Sequence, residues 1–154
     1  MGKSSGSTRS SSSNSPKGLS SGFPQDVIEQ AALNLRASID ARRNAEEELR
    51  ANSNSAISTI RKIKSPKMGE TSSVELPGGY KAQITLRTAG YGSGGIYESE
   101  IYTPQGDRIG GIANHRERFG SNGMATFSTK SEALSSVKES MIDWIRIRFQ
   151  GAKY

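Results

Sequence analysis

The sequence predicts an α+β protein: an N-terminal long helix or helical hairpin, an antiparallel sheet of three to four strands, and a capped C-terminal helix packed on that sheet. Three observations carry this expectation. Between residues 24 and 64 the apolar side chains recur every seven positions. From residue 74 the period falls to two. Thr129-Lys130-Ser131-Glu132 then reads as a helix start ahead of a new helical pattern.

The chain of 154 residues suits one modest core with an appendage. Its first 22 residues contain ten serines and almost no apolar side chains. Such a stretch cannot bury enough surface to offset its chain entropy, so residues 1–23 are expected to be a disordered, Ser-rich basic leader. Lys3 and Arg9 are followed by no apolar run, which is unlike a secretory signal. The chain contains no cysteine, which removes disulfides, thiolate metal sites and cysteine nucleophiles together. No apolar run reaches membrane-spanning length, and the expected setting is cytoplasmic, without membrane contact.

Residues 24–64 form the expected helical, coiled-coil-like segment. Pro24 suits a helix start and Asp26 favours the positive end of the helix dipole. Ile28, Leu35, Leu49, Ala56 and Ile63 fall on multiples of seven; Ala32, Ile39 and Ile60 follow with an offset of four. This is the d/a alternation of a heptad seam. Ile28, Leu35, Ile39, Leu49, Ile60 and Ile63 are therefore the candidate oligomerisation seam. Arg42, Glu46 and Ser53 interrupt it, and Asn52-Ser53-Asn54-Ser55 has turn chemistry. Two structures satisfy the pattern. One is a continuous helix of about 40 residues, roughly 60 Å long, whose seam needs a partner chain. The other is two helices folded at residues 52–55. The stripe is covered either by the protein's own sheet or by another copy.

Residues 65–73 read as a linker, since Pro66 cannot continue a helix and Gly69 and serines follow. Residues 74–154 are the expected β-meander and C-terminal helix. Val74–Leu76 is a short strand before the turn at Pro77-Gly78-Gly79. In residues 80–88, Tyr80, Ala82, Ile84 and Leu86 take one face and Lys81, Gln83, Thr85 and Arg87 the other. Residues 96–103 and 108–114 continue the meander, with Gly110-Gly111 weakening the latter; residues 124–129 are a fourth candidate strand. Residues 114–123 read as an exposed loop. Leu134, Val137, Met141 and Trp144/Ile145 give the last helix its apolar face, out to about Arg148.

Candidate functional residues are few. Gly90, Gly92, Gly94 and Gly95 invite a phosphate-cradle reading. Such loops work because a helix starts directly after them, whereas here a strand follows and no Gly-Lys-Ser/Thr is present. The glycines instead predict a wide hairpin with Tyr91 exposed at its tip, where a tyrosine suits a partner surface. His115 is the single histidine, with no cysteine beside it, so neither a metal nor another cofactor is expected. Around it, Arg116 and Arg118 are read as cations on a loop that reach a phosphate or carboxylate, with Phe119 docked on the core. Glu98 and Glu100 are expected to pair with Lys81 or Arg87 across strands.

The net charge of +6 tempts toward nucleic acid, but residues 1–23 supply three bases without an acid, whereas residues 65–154 hold eleven bases against nine acids. The near-neutral body favours a non-enzymatic protein-binding and oligomerisation module, with a homo-oligomer or a protein partner gripped through the seam and through Tyr91, Arg116, Arg118, Arg87 and Lys81. A serine-rich leader on a small α+β body suits a phage or mobile-element accessory protein. The alternative is a small DNA- or RNA-binding protein using a three-stranded sheet and basic loops.

Residues 80–148, strands followed by a helix opening Phe127-Ser128-Thr129-Lys130-Ser131-Glu132-Ala133-Leu134, are loosely similar to two nucleic-acid-binding folds. One is the arm-binding domain of tyrosine integrases; the other is the double-stranded-RNA-binding domain. The former resemblance implies a sheet laid in the DNA major groove with Lys81 and Arg87 at the surface, where Glu98 and Glu100 would repel phosphate. The latter implies a run of lysines opening the last helix, where this chain has only Lys130.

Overall fold

In the computed structural model, residues 24–90, 94–121, 123 and 125–153 are described. The elements run α1 (Gln25–Ala51), α2 (Ser53–Arg61), β1 (Thr71–Glu75), β2 (Lys81–Thr88), β3 (Gly94–Tyr102), β4 (His115–Gly120) and α3 (Lys130–Phe149). Short 3-10 turns occupy Pro77–Gly79 and Gly111–Ala113. The protein is α+β, with a long N-terminal helix, a four-stranded antiparallel sheet in the order β1-β2-β3-β4 and a C-terminal helix packed on that sheet.

The chain divides into two units, Met1–Ala41 and Arg42–Tyr154. The described part of the first is helical, and every residue from 25 to 41 is exposed. The second unit holds the sheet, α2, α3 and the core.

The helical region is two helices. Asn52 leaves the helical conformation (φ −118°, ψ 29°) and its side chain donates back to the Glu48 carbonyl at 2.9 Å. This is the local competition that makes asparagine a helix breaker. The heptad seam is corrected accordingly. Leu49, Ala56, Ile60 and Ile63 lie in the protein's own core at 3% exposure or less, while Ile28, Leu35 and Ile39 are exposed. One seven-residue phase runs through two environments, so the first four cannot serve another chain.

Alternation sets the sheet faces. Ala82, Ile84 and Leu86 of β2 and Tyr97, Ser99 and Ile101 of β3 point to the core, with α3 packed on β3 and β4. From α3 come Ala133, Val137, Met141, Ile142 and Ile145, all fully buried; each of the larger ones contributes about 1.5–3 kcal/mol. The Thr129 hydroxyl accepts the Glu132 amide at 3.2 Å, the expected N-cap.

Three strand expectations are corrected. Residues 108–114 are not a strand: Arg108 makes a single bridge with Tyr102, and Gly111 (φ 72°) opens a 3-10 turn. Residues 115–120, expected as a loop, are β4, paired with β3 from Gly94↔Gly120 to Ser99↔His115. Among the described residues of 124–129, only Phe127 bridges, in parallel, to Phe119.

At the end of the glycine-rich stretch, Gly94 serves close approach. A Cβ on Gly94 (φ 123°) would sit 2.2 Å from the Phe119 carbonyl oxygen across the β3–β4 pair. Gly78 (φ 82°) does the same for α1: a Cβ there would lie 2.3 Å from the Ala45 carbonyl oxygen.

Candidate functional site

Two surfaces remain after the core is closed. The first is on α1. Six large apolar side chains are exposed among the described residues; Val27, Ile28, Leu33, Leu35 and Ile39 lie in the first unit, and only Met68 lies elsewhere. Leu35 is 63% exposed and Ile39, the most covered of the five, 44%. At 100° per residue, Val27, Ala31, Leu35, Ile28, Ile39 and Ala32 fall on one arc of the helix, with Glu29, Arg36 and Asp40 beyond one edge of it. An arc this wide is what a helix shows when another helix or a core covers it.

The second is the outer face of the sheet, which brings Arg87, Arg116 and Arg118 to one end, with Lys81 at the other end of β2. Register explains this. Arg87, Ile96 and Arg118 form one cross-strand row, and Thr85, Glu98 and Arg116 the next. The carboxylate of Glu98 lies 3.0 Å from the Arg87 guanidinium and 2.9 Å from that of Arg116. The expected pairing of Glu98 with Arg87 is therefore present. Arg118 instead donates to the Ala89 carbonyl at 3.3 Å, and Ile96 is buried in the row between the two arginines. Glu100 accepts from Gln83 (3.1 Å), Tyr102 (3.0 Å) and Arg108 (3.3 Å). Desolvation, then the hydrogen bond to Glu100, raises the Tyr102 phenol above its usual range. Lys81 borders a shallow cleft of about 340 Å³ with Glu75, Gln83, Tyr102 and Pro104. Tyr91 lies outside the described residues.

His115 is on the inner side of β4, not on a loop. Its Nε2 is 3.0 Å from Glu117 Oε2, and the Ser136 hydroxyl of α3 donates to the same oxygen at 2.6 Å. Burial alone would raise the Glu117 carboxyl; hydrogen bonds from Ser136 and His115, the nearby imidazole charge and Thr126 outweigh it and hold the group below its usual value. The order is serine, carboxylate, imidazole. A nucleophilic triad needs the imidazole between the other two, so this cluster ties α3 to the sheet edge and gives Ser136 no histidine to take its proton. Among the described residues no group of three or more His, Asp or Glu is placed to hold a metal ion. No described helix is long and apolar enough to cross a membrane.

Sequence reasoning missed an aromatic cluster. Trp144 stacks at a tilt on Tyr80 (6.4 Å between centroids) and edge-on to Phe149 (5.6 Å), next to the ion pair of Arg148 with Glu46. Shallow clefts of about 310 and 360 Å³ flank the indole. Five residues apart, Trp144 and Phe149 are not helical neighbours by spacing, and nothing in the spacing joins either to Tyr80. No protein-family model, curated protein or solved structure matches this chain.

Proposed function

We propose that this protein is a non-enzymatic binding module that works by self-association, with the helical segment of residues 25–41 as the surface that joins copies. The observation that supports this is the exposure of Val27, Ile28, Leu35 and Ile39 on one arc of that segment. In proteins most of the stability of an amphipathic helix comes from burial of its apolar face. The core of the second unit is already closed by Leu49, Ala56, Ile60 and Ile63. Burying several leucine- and isoleucine-sized side chains supplies about 1.5–3 kcal/mol each before the entropy of association is subtracted.

Sedimentation velocity of the full chain across a wide concentration range tests this. The expected result is a concentration-dependent shift from monomer to dimer or larger, with Leu35→Glu monomeric throughout while its sheet core still unfolds cooperatively. A full chain that sediments like Leu35→Glu at every concentration would overturn the reading.

A second reading is a nucleic-acid surface on the outer sheet face. It is favoured by Arg87, Arg108 and Arg116, whose side chains are 51%, 55% and 64% exposed. Glu98 and Glu100 engage all three, which leaves little uncompensated charge for phosphate. This reading requires duplex or single-strand retardation that falls steeply between about 50 and 200 mM salt. Self-association requires none.

A further inference from the structure

We infer that the surface covering the apolar arc of residues 25–41 is the same segment of a second copy running in the opposite direction. This rests on the self-association reading above and specifies its geometry. The seam positions Ile28, Ala32, Leu35 and Ile39 are spaced four, three, four. That spacing reads the same from either end, so the segment can register with itself head to tail as well as side by side.

Size and charge separate the two directions. In a parallel pair each seam residue meets its own twin, so Ala32 faces Ala32 and leaves an underfilled layer. In the antiparallel pair Ile28 faces the partner's Ile39 and Ala32 faces the partner's Leu35. Small then opposes large in both central layers, which is how helix interfaces fill space without voids. Flanking charges agree. With Ile28 and Leu35 at d, Glu29 and Arg36 are both e positions. Charges at the e and g positions set partner orientation in paired helices. Parallel helices set e against g, where this segment has only Ala31 and Ser38. Antiparallel helices set e against e, so Glu29 meets the partner's Arg36 twice over by symmetry. Within the chain Glu29 accepts only a long 3.4 Å contact from Gln25, and Arg36 makes no ion pair among the described residues. On the opposite flank Ala31 and Ser38 meet as g positions, and their small size lets the helices approach closely. The overlap also ends where it must. Residue 42 would pair with residue 25, and from Arg42 onward the chain belongs to the second unit.

The absence of cysteine makes the direction directly readable. Ile28→Cys and Ile39→Cys, both at exposed positions, are prepared separately in the full chain, mixed in equal amounts and oxidised at a concentration where the chain sediments as an oligomer. The antiparallel pair predicts disulfide dimers joining the two different variants and few joining like variants. Dimers of like variants would overturn the antiparallel geometry while leaving self-association intact. An absence of any disulfide dimer from an oligomeric sample would overturn the pairing of this segment. A chain that never leaves the monomer would overturn the underlying reading as well. In parallel, Glu29→Arg or Arg36→Glu alone should weaken association by about tenfold, and the double swap should restore it. Failure of the double swap to restore it also contradicts the geometry.

Discussion

The ammonium of Lys138, on α3, donates to the backbone carbonyl of Ile63 just beyond α2 at 2.7 Å. The same group donates to the Arg61 carbonyl at 3.0 Å. One lysine thus satisfies carbonyls that the end of α2 leaves without helical partners, and it ties the last helix to the helical region. Desolvation lowers its pKa.

Lys138→Met keeps the aliphatic stem and removes the donor. It should lower stability by about 1–2 kcal/mol, read as a lower urea midpoint with an unchanged slope. An unchanged midpoint would mean that water replaces the lysine at no loss.

Gly94→Ala should be severely destabilising, by about 2 kcal/mol or more. Its left-handed φ and the Phe119 carbonyl both oppose a side chain. Gly110→Ala is the matched control, because no heavy atom outside its chain neighbours lies within 4 Å of a Cβ built there; its midpoint should barely move. Equal effects of the two would contradict the close β3–β4 approach.

The glycine-rich stretch also shows what could be read from sequence. The strand expected after the glycines is β3, and β2, β3 and α3 followed from clean apolar periodicity. β4 was hidden because its inward side carries His115 and Glu117, which alternate with Arg116 and Arg118. Both faces looked polar, and the inward charges are accommodated only because Ser136 and Thr126 supply hydrogen bonds from elsewhere in the chain. Conversely, residues 108–114 looked apolar enough for a strand, but the positive φ of Gly111 turns the chain. The heptad phase revealed the stripe on α1 and α2, yet periodicity cannot say whose surface covers it. Asn52 breaks the helix so that α2 brings Ile60 and Ile63 into the core with Leu49, while Ile28, Leu35 and Ile39, earlier on α1, are exposed.

Acid should loosen the sheet edge through Glu117. Its pKa in the folded chain lies below the usual value of 4.5. The carboxylate therefore contributes stability that is fully present above about pH 4.5 and is lost as pH falls through the folded value. Thermal unfolding should show a midpoint that drops below about pH 4.5, with Glu117→Gln flattening that part of the profile. An identical acid slope in the variant would assign the loss to other carboxylates.

Hydrogen–deuterium exchange of the full chain at low and high protein concentration tests self-association through residues 25–41 most directly. The account predicts that amides of this segment gain protection as concentration rises, while those of β2, β3 and α3 are equally protected at both. Exchange in residues 25–41 that is independent of concentration would contradict it.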